Sequence, residues 1–187
     1  MKLRSTERSA KILVDFCGSI EKHKTVLDLG ANDGALSRFV FQDIFNYVPV
    51  DLKQINHNNF VRLDLNHIPL PWKDSEFDYI FASMILEHVF NPYDLIKEIY
   101  RILKKDGILI VATPDEDSLI YRLQSPFKRN PHLQLQYFGH HWSFTVDNAG
   151  FLLTETGFKI EKIAGRFGFT SPWLIGIAPA VLFLCTK

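Results

Sequence analysis

The sequence predicts an α/β fold built on a doubly wound, mostly parallel sheet. Three observations carry that prediction. Short apolar runs alternate with amphipathic helical patterns from residue 25 to residue 112, the pattern of strand–helix repeats around a parallel sheet. The run Val26-Leu27-Asp28-Leu29 breaks at Gly30 and Gly34, and helical spacing resumes at Ala35, Leu36, Phe39 and Val40. Two strand patterns, Phe158–Ile163 and Val181–Cys185, then end the sequence without a helix crossover between them, which suggests an antiparallel pair at one sheet edge.

Composition narrows the class. With 187 residues, 47% hydrophobic and 22% charged, the chain reads as one globular domain able to bury a sizeable core. Lys+Arg and Asp+Glu both total 21, so no excess of positive charge points to nucleic acid as the main partner. Cys17 and Cys185 lie far apart without metal-ligand spacing, which fits buried thiols in a reducing compartment. Arg4, Glu7, Arg8 and Lys11 interrupt any signal-peptide core, so a cytoplasmic location is expected. Residues 167–185 carry no charge and are long enough for a membrane span. Gly168, Pro172, Gly176 and Pro179 break a continuous helix there, so a covered loop and a buried strand are expected. A membrane-embedded segment is the alternative, and a peripheral membrane contact stays open.

In chain order, residues 5–17 read as a helix capped by Ser5 or Thr6, with Ile12, Leu13 and Phe16 apolar and Gly18 as its stop. The first strand runs into the glycine turn, and Asp33 can cap the helix that continues to about Phe45. A glycine turn admits close backbone approach, and a helix start offers unpaired N–H groups, so this junction suits a small ligand. The next strand, Tyr47–Leu52, contains Asp51, roughly 20 residues past the turn, where a strand-end carboxylate can accept both ribose hydroxyls of an adenosine. Strands are expected at Phe60–Leu65 and Phe77–Ala82. Ser83 then stands at a strand's carboxyl end, beside the switch point where open α/β sheets bind ligands. Asn91 and Pro92 start the clearest helix, with Leu95, Ile96, Ile99, Ile102 and Leu103 as its buried stripe. Lys104 and Lys105 suit its C-terminal dipole and Gly107 its stop. Strand five covers Ile108–Ala112. Thr145 caps a last helix running to about Glu155 and stopped by Gly157.

These motifs, in this order, resemble the class I S-adenosylmethionine (SAM)-dependent methyltransferases over residues 25 to about 163. Asp28-Leu29-Gly30-Ala31-Asn32-Asp33-Gly34 is similar to the family's acidic residue followed by G-x-G-x-G, with Asn32 in place of the middle glycine. Asn tolerates the left-handed backbone such a turn needs. Asp64 after strand three, the Pro69–Trp72 loop, Phe77-Asp78, the Leu86-Glu87-His88-Val89 stretch and Arg101–Gly107 match the family's later motifs, with Asp106 replacing a common glycine. The resemblance implies a Rossmann-like seven-stranded sheet, antiparallel in its last strand, with helices on both faces. It also implies SAM as cofactor and S-adenosylhomocysteine as product. The cofactor-binding set it implies is Asp28, Gly30, Ala31, Asn32, Gly34, Asp51, Leu52, Asp64, Leu65 and Ser83. Asp64 would accept from the adenine amino group and the Leu65 backbone would touch the ring.

Within that single domain, residues 1–24 form the N-terminal helix and 25–112 the cofactor core. Residues 113–145 are an acceptor-site or lid segment, and 146–187 hold the C-terminal helix and antiparallel strands. The segment after strand five is rich in aromatic and histidine residues, including His132, Tyr137, Phe138, His140, His141 and Trp142, which suits an organic acceptor. The expected activity is methyl transfer to a small-molecule or lipid-like acceptor. His140, at the family's histidine position, and His88 are its candidate catalytic residues, either as groups handling the acceptor's proton or as structural histidines. Glu87 and His88 are adjacent, so on a helix their side chains diverge. No metal is expected, since there is no nearby cysteine and no H-x3-H pair. Two other readings stay open. One is a non-catalytic SAM-binding regulatory or partner-binding subunit. The other is a nicotinamide-dependent oxidoreductase, disfavoured by the missing G-x-G-x-x-G and second domain.

Overall fold

A computed structural model of the chain describes residues 12, 15, 16, 18, 20–32, 46–119, 123, 139–165 and 180–187. Seven strands form one sheet: β1 Thr25–Leu29, β2 Asn46–Asp51, β3 Val61–Arg62, β4 Phe77–Ser83, β5 Leu103–Pro114, β6 Lys159–Gly165 and β7 Ala180–Thr186. Helix α1 spans Pro92–Ile102 and helix α2 spans Val146–Glu155. The strand order is β3-β2-β1-β4-β5-β7-β6. β1 through β5 pair in parallel, and β7 inserts antiparallel between β5 and β6. The predicted doubly wound sheet with an antiparallel end is the observed one.

The sheet is buried on both faces, as its central strands require. Alternate residues divide between two apolar clusters. Leu27, Leu29, Ile80, Ala82, Leu109 and Val111 face one side, with α1 and α2. Val26, Phe81, Ile110 and Ala112 face the other, where Phe16 and Ile12 pack. Ile12, Asp15 and Phe16 are helical; the rest of the helix expected over 5–17 lies outside the described residues. The helix expected after the glycine turn, from Asp33 to Phe45, lies outside them entirely, as does Gly34.

Helix α1 forms as its sequence requires. Asn91 accepts from the Asp94 N–H, and Pro92 opens the first turn. Leu95, Ile96, Ile99 and Ile102 are wholly buried. Each contributes about 1.5–3 kcal/mol by burial, an upper estimate. Helix α2 carries the expected Thr145 cap, completed by Asn148 as a capping box, and Gly157 follows at φ +101°.

Three expectations are corrected. Strand three is two residues rather than six, because the Asp64 carboxylate accepts from the Asn66 N–H and side-chain amide and draws the chain into a turn. Helix α1 stops at Ile102. Leu103 already pairs with Phe77, and Lys104 ion-pairs with Asp78 at 2.8 Å instead of sitting on a helix C-terminus. The stretch around Glu87 and His88 is a single 3-10 turn, Leu86–His88, rather than a helix. Met84, at φ +54°, breaks the chain direction just before it. Cys185 is buried, as expected, and its thiol is pushed up to about 12 by that burial. Of the uncharged stretch 167–185, residues 180–185 form most of β7 in the sheet; 167–179 lie outside the described residues. Among the described residues no helix is long and apolar enough to cross a membrane.

Candidate active site

The strand order reverses between β1 and β4, so their carboxyl ends open the crevice where this topology binds ligands. Gly30 leaves β1 at φ +74° and Asn32 follows at φ +51°, the left-handed turn the motif needs. The N–H groups of Gly30 and Ala31 both donate to the Val50 carbonyl at 2.9 Å, which ties the turn to β2. A Cβ on Gly30 would lie 2.9 Å from Ile85 Cδ1. The glycine therefore lets the β1 turn pass against the segment leaving β4.

Asp51 ends β2 beside this turn. Its Oδ2 accepts from the Asn32 N–H at 2.8 Å and its Oδ1 from the Lys53 N–H at 2.9 Å. Each oxygen keeps a second lone pair, and the residue is half-buried, so a diol can still be received. This set fits the ribose of an adenosine cofactor. Leu52, beside it, is exposed. Asp64 and Leu65 follow β3. The Asp64 carboxyl is held below its usual range, chiefly by the Asn66 N–H, and Leu65 is buried. Ser83 closes β4. The structure thus gathers Gly30, Ala31, Asn32, Asp51, Leu52 and Ser83 at adjoining strand ends. Asp28 stands apart: it is 1% exposed and accepts from the Tyr47 hydroxyl at 2.5 Å. Burial pushes its carboxyl up to about 7, with the Asp51 charge adding to the rise and the Tyr47 bond opposing it.

A second group lies past the end of β4. The 139–145 segment folds onto the 3-10 turn, where the His141 and Trp142 N–H groups donate to the Glu87 carbonyl at 2.7 and 3.3 Å. Trp142 Nε1 donates to the Phe90 carbonyl at 3.1 Å. His88 and His140 meet edge to face with ring centroids 4.7 Å apart, and His88 Nδ1 lies 3.2 Å from the Gly139 carbonyl. Burial lowers the His140 pKa, and the neighbouring His88 lowers it further, so neutral imidazole is favoured. The two candidate catalytic histidines are therefore brought together from 52 positions apart. Glu116, after β5, meets the same segment: its N–H donates to the Phe144 carbonyl and its carboxylate accepts from Ser143 Oγ. His132, Tyr137 and Phe138 lie outside the described residues.

Sequence reasoning named Glu87 only as the neighbour of His88 and gave it no role. It is 1% exposed, neither carboxylate oxygen has a hydrogen-bond partner, and burial pushes it up to about 7. The available signal was an acid directly after the apolar Met84-Ile85-Leu86, and the 3-10 turn buries it.

A family model described as a methyltransferase domain matches residues 3–163. The chain belongs to this methyltransferase domain family. An uncharacterized protein of Methanocaldococcus jannaschii is 35% identical over 102 residues, 54% of this chain and 45% of that protein. The demethylmenaquinone methyltransferase of Bacillus pumilus is 23% identical over 138 residues, 73% of this chain and 57% of that enzyme. The chain thus spans about half the length of these relatives. Among solved structures, a SAM-dependent methyltransferase of Thermotoga maritima, described as a possible histamine N-methyltransferase, superimposes with a TM-score of 0.71 at 21% identity. That match covers 98% of this chain and 89% of that one. By family this is a methyltransferase domain, and its fold is that of the solved SAM-dependent methyltransferase.

Proposed function

We propose that this methyltransferase domain transfers a methyl group from SAM to a small-molecule or lipid-like acceptor. The observation that carries the reading is Asp51 at the end of β2, hydrogen-bonded to the Gly30–Asn32 turn at the switch point. Asp51 would receive the ribose hydroxyls, and Gly30, Ala31, Asn32 and Gly34 would admit the cofactor's amino-acid end. Leu52, Asp64 and Leu65 would border the adenine, and Asp28, buried against Tyr47, would support β1 below the turn. Ser83, at the end of β4, would face the reacting end. SAM, when bound, supplies a methyl carbon on a good leaving group. The protein's share is orientation, exclusion of water and disposal of the acceptor's proton.

His140 and His88 face that last task. A neutral imidazole beside the β4 end can take a proton from a hydroxyl as its oxygen attacks. An apolar groove of about 330 Å3, lined by Tyr93, Trp142, Phe144, Phe151 and Leu152, adjoins the same segment and suits an apolar acceptor tail. The demethylmenaquinone relative fits an acceptor of that character. Calorimetric titration with S-adenosylhomocysteine, with NADH as control, tests the cofactor assignment. Saturable binding of the first alone supports it. No binding to a folded sample refutes it.

A further inference from the structure

Glu87, His88 and His140 form a cluster, and the methyl-transfer reading gives no account of Glu87. Their ligand-capable atoms lie within 4.8 Å of one another. Glu87 is the unusual member. A carboxylate 1% exposed with both oxygens unpartnered is costly, because desolvation goes uncompensated. Native proteins keep such a group when something outside the chain satisfies it, and an ion is one such partner.

The histidines supply the rest of the set. His88 Nδ1 lies 3.2 Å from the Gly139 carbonyl, where the ring proton belongs on Nδ1. That leaves Nε2 as a bare lone pair. A backbone carbonyl holding the far ring nitrogen is the usual support for a metal-ligating imidazole. His140 meets His88 edge to face with ring centroids 4.7 Å apart, which brings one nitrogen of each ring within 4.8 Å of the other and of a Glu87 oxygen. The Glu87 carbonyl accepts from the His141 and Trp142 N–H groups, so the backbone fixes the loop carrying His140 to the turn carrying Glu87 and His88.

We propose that Glu87, His88 and His140 bind a divalent first-row transition metal ion, with an open coordination position. Two imidazoles and one carboxylate suit Zn2+, Co2+ or Fe2+ rather than Mg2+ or Ca2+. Three protein ligands leave the vacancy that distinguishes a reactive site from a structural one. Tetrahedral ligand atoms lie about 3.4 Å apart, so the set closes by on the order of 1 Å on binding. Sequence spacing could not reveal it, because His140 is 52 residues from His88. Metal binding stands without the methyl-transfer reading. The occupant of the open position, the acceptor's oxygen, rests on that reading. With the ion bound, the two imidazoles would be ligands and not bases; the cation would lower the pKa of the coordinated hydroxyl, and its proton would pass to bulk water as the oxygen attacks the methyl carbon.

The test uses untagged, chelator-treated protein titrated with Co2+ and read by visible absorption, with S-adenosylhomocysteine calorimetry on the same samples. One equivalent of Co2+ should give the strong bands of a low-coordinate site, and Zn2+ should displace it. Glu87→Gln and His140→Ala should each weaken Co2+ binding by more than about tenfold while S-adenosylhomocysteine binding persists. If Glu87→Gln fails to fold, His88→Gln takes its place. Weak, featureless Co2+ binding, or binding unchanged in these variants, overturns the site. Because calorimetry reports the cofactor separately, loss of cofactor binding with Co2+ binding intact would refute the methyl-transfer reading and leave the metal site standing.

Discussion

The substitution Asp28→Asn should raise the stability of the domain above neutral pH and remove part of its pH dependence. Asp28 lies within β1, buried, with Tyr47 Oη donating to it and the Asp51 carboxylate nearby. Its carboxyl titrates near 7 in the folded chain against 3.8 in the unfolded chain. The folded state therefore holds a proton that the unfolded state has released, and stability falls as pH rises from about 4 through 7. At 1.36 kcal/mol per unit, the full loss is about 4 kcal/mol. The amide of the variant can still accept from Tyr47 but never ionises. Urea unfolding of both proteins without cofactor, from pH 4 to pH 8, gives the difference in stability. Titrating groups that do not interact with Asp28 cancel in that difference; Asp51 is the coupled exception. It should grow by about 4 kcal/mol in favour of the variant across the window. A difference independent of pH would refute the argument, because Asp28 would then ionise as freely in the fold as in water.

Asp51→Ala should weaken S-adenosylhomocysteine binding by about 1–3 kcal/mol, measured by calorimetry, through two lost acceptor oxygens; unchanged affinity would sink the ribose assignment. Gly30→Ala should destabilise the chain by about 1–3 kcal/mol in thermal or urea unfolding, since a Cβ meets Ile85 at 2.9 Å and φ is +74°. Adding Ile85→Ala should relieve the contact but not the backbone strain, so a double-mutant cycle separates the two. Arg101 donates to the Leu70 and Trp72 carbonyls and to Glu98 and Asp74. Arg101→Ala should therefore cost about 1.5–3 kcal/mol in urea unfolding, and should hasten proteolysis in the 69–74 loop.

Much of the sheet could be read directly from residues 25 to 187. Alternating apolar runs place β1, β2, β4, β6 and β7, because a strand buried on one or both faces has few other ways to satisfy its side chains. Caps marked α1 and α2 because Asn91 and Thr145 act on N–H groups within three residues, a local effect. Strand three and the end of α1 were misread where local propensity lost to a competitor: the Asp64 carboxylate in one case, the Lys104–Asp78 pair across β4 and β5 in the other. Asp51 was legible as a strand-end acid at a fixed distance from a turn. Its hydrogen bond to Asn32 belongs to the register between β1 and β2. The Glu87–His88–His140 cluster is tertiary altogether. Whether Glu87 points to solvent or into a buried space depends on one 3-10 turn and on a loop that returns 52 residues after His88, and neither sequence spacing nor helical periodicity encodes that meeting.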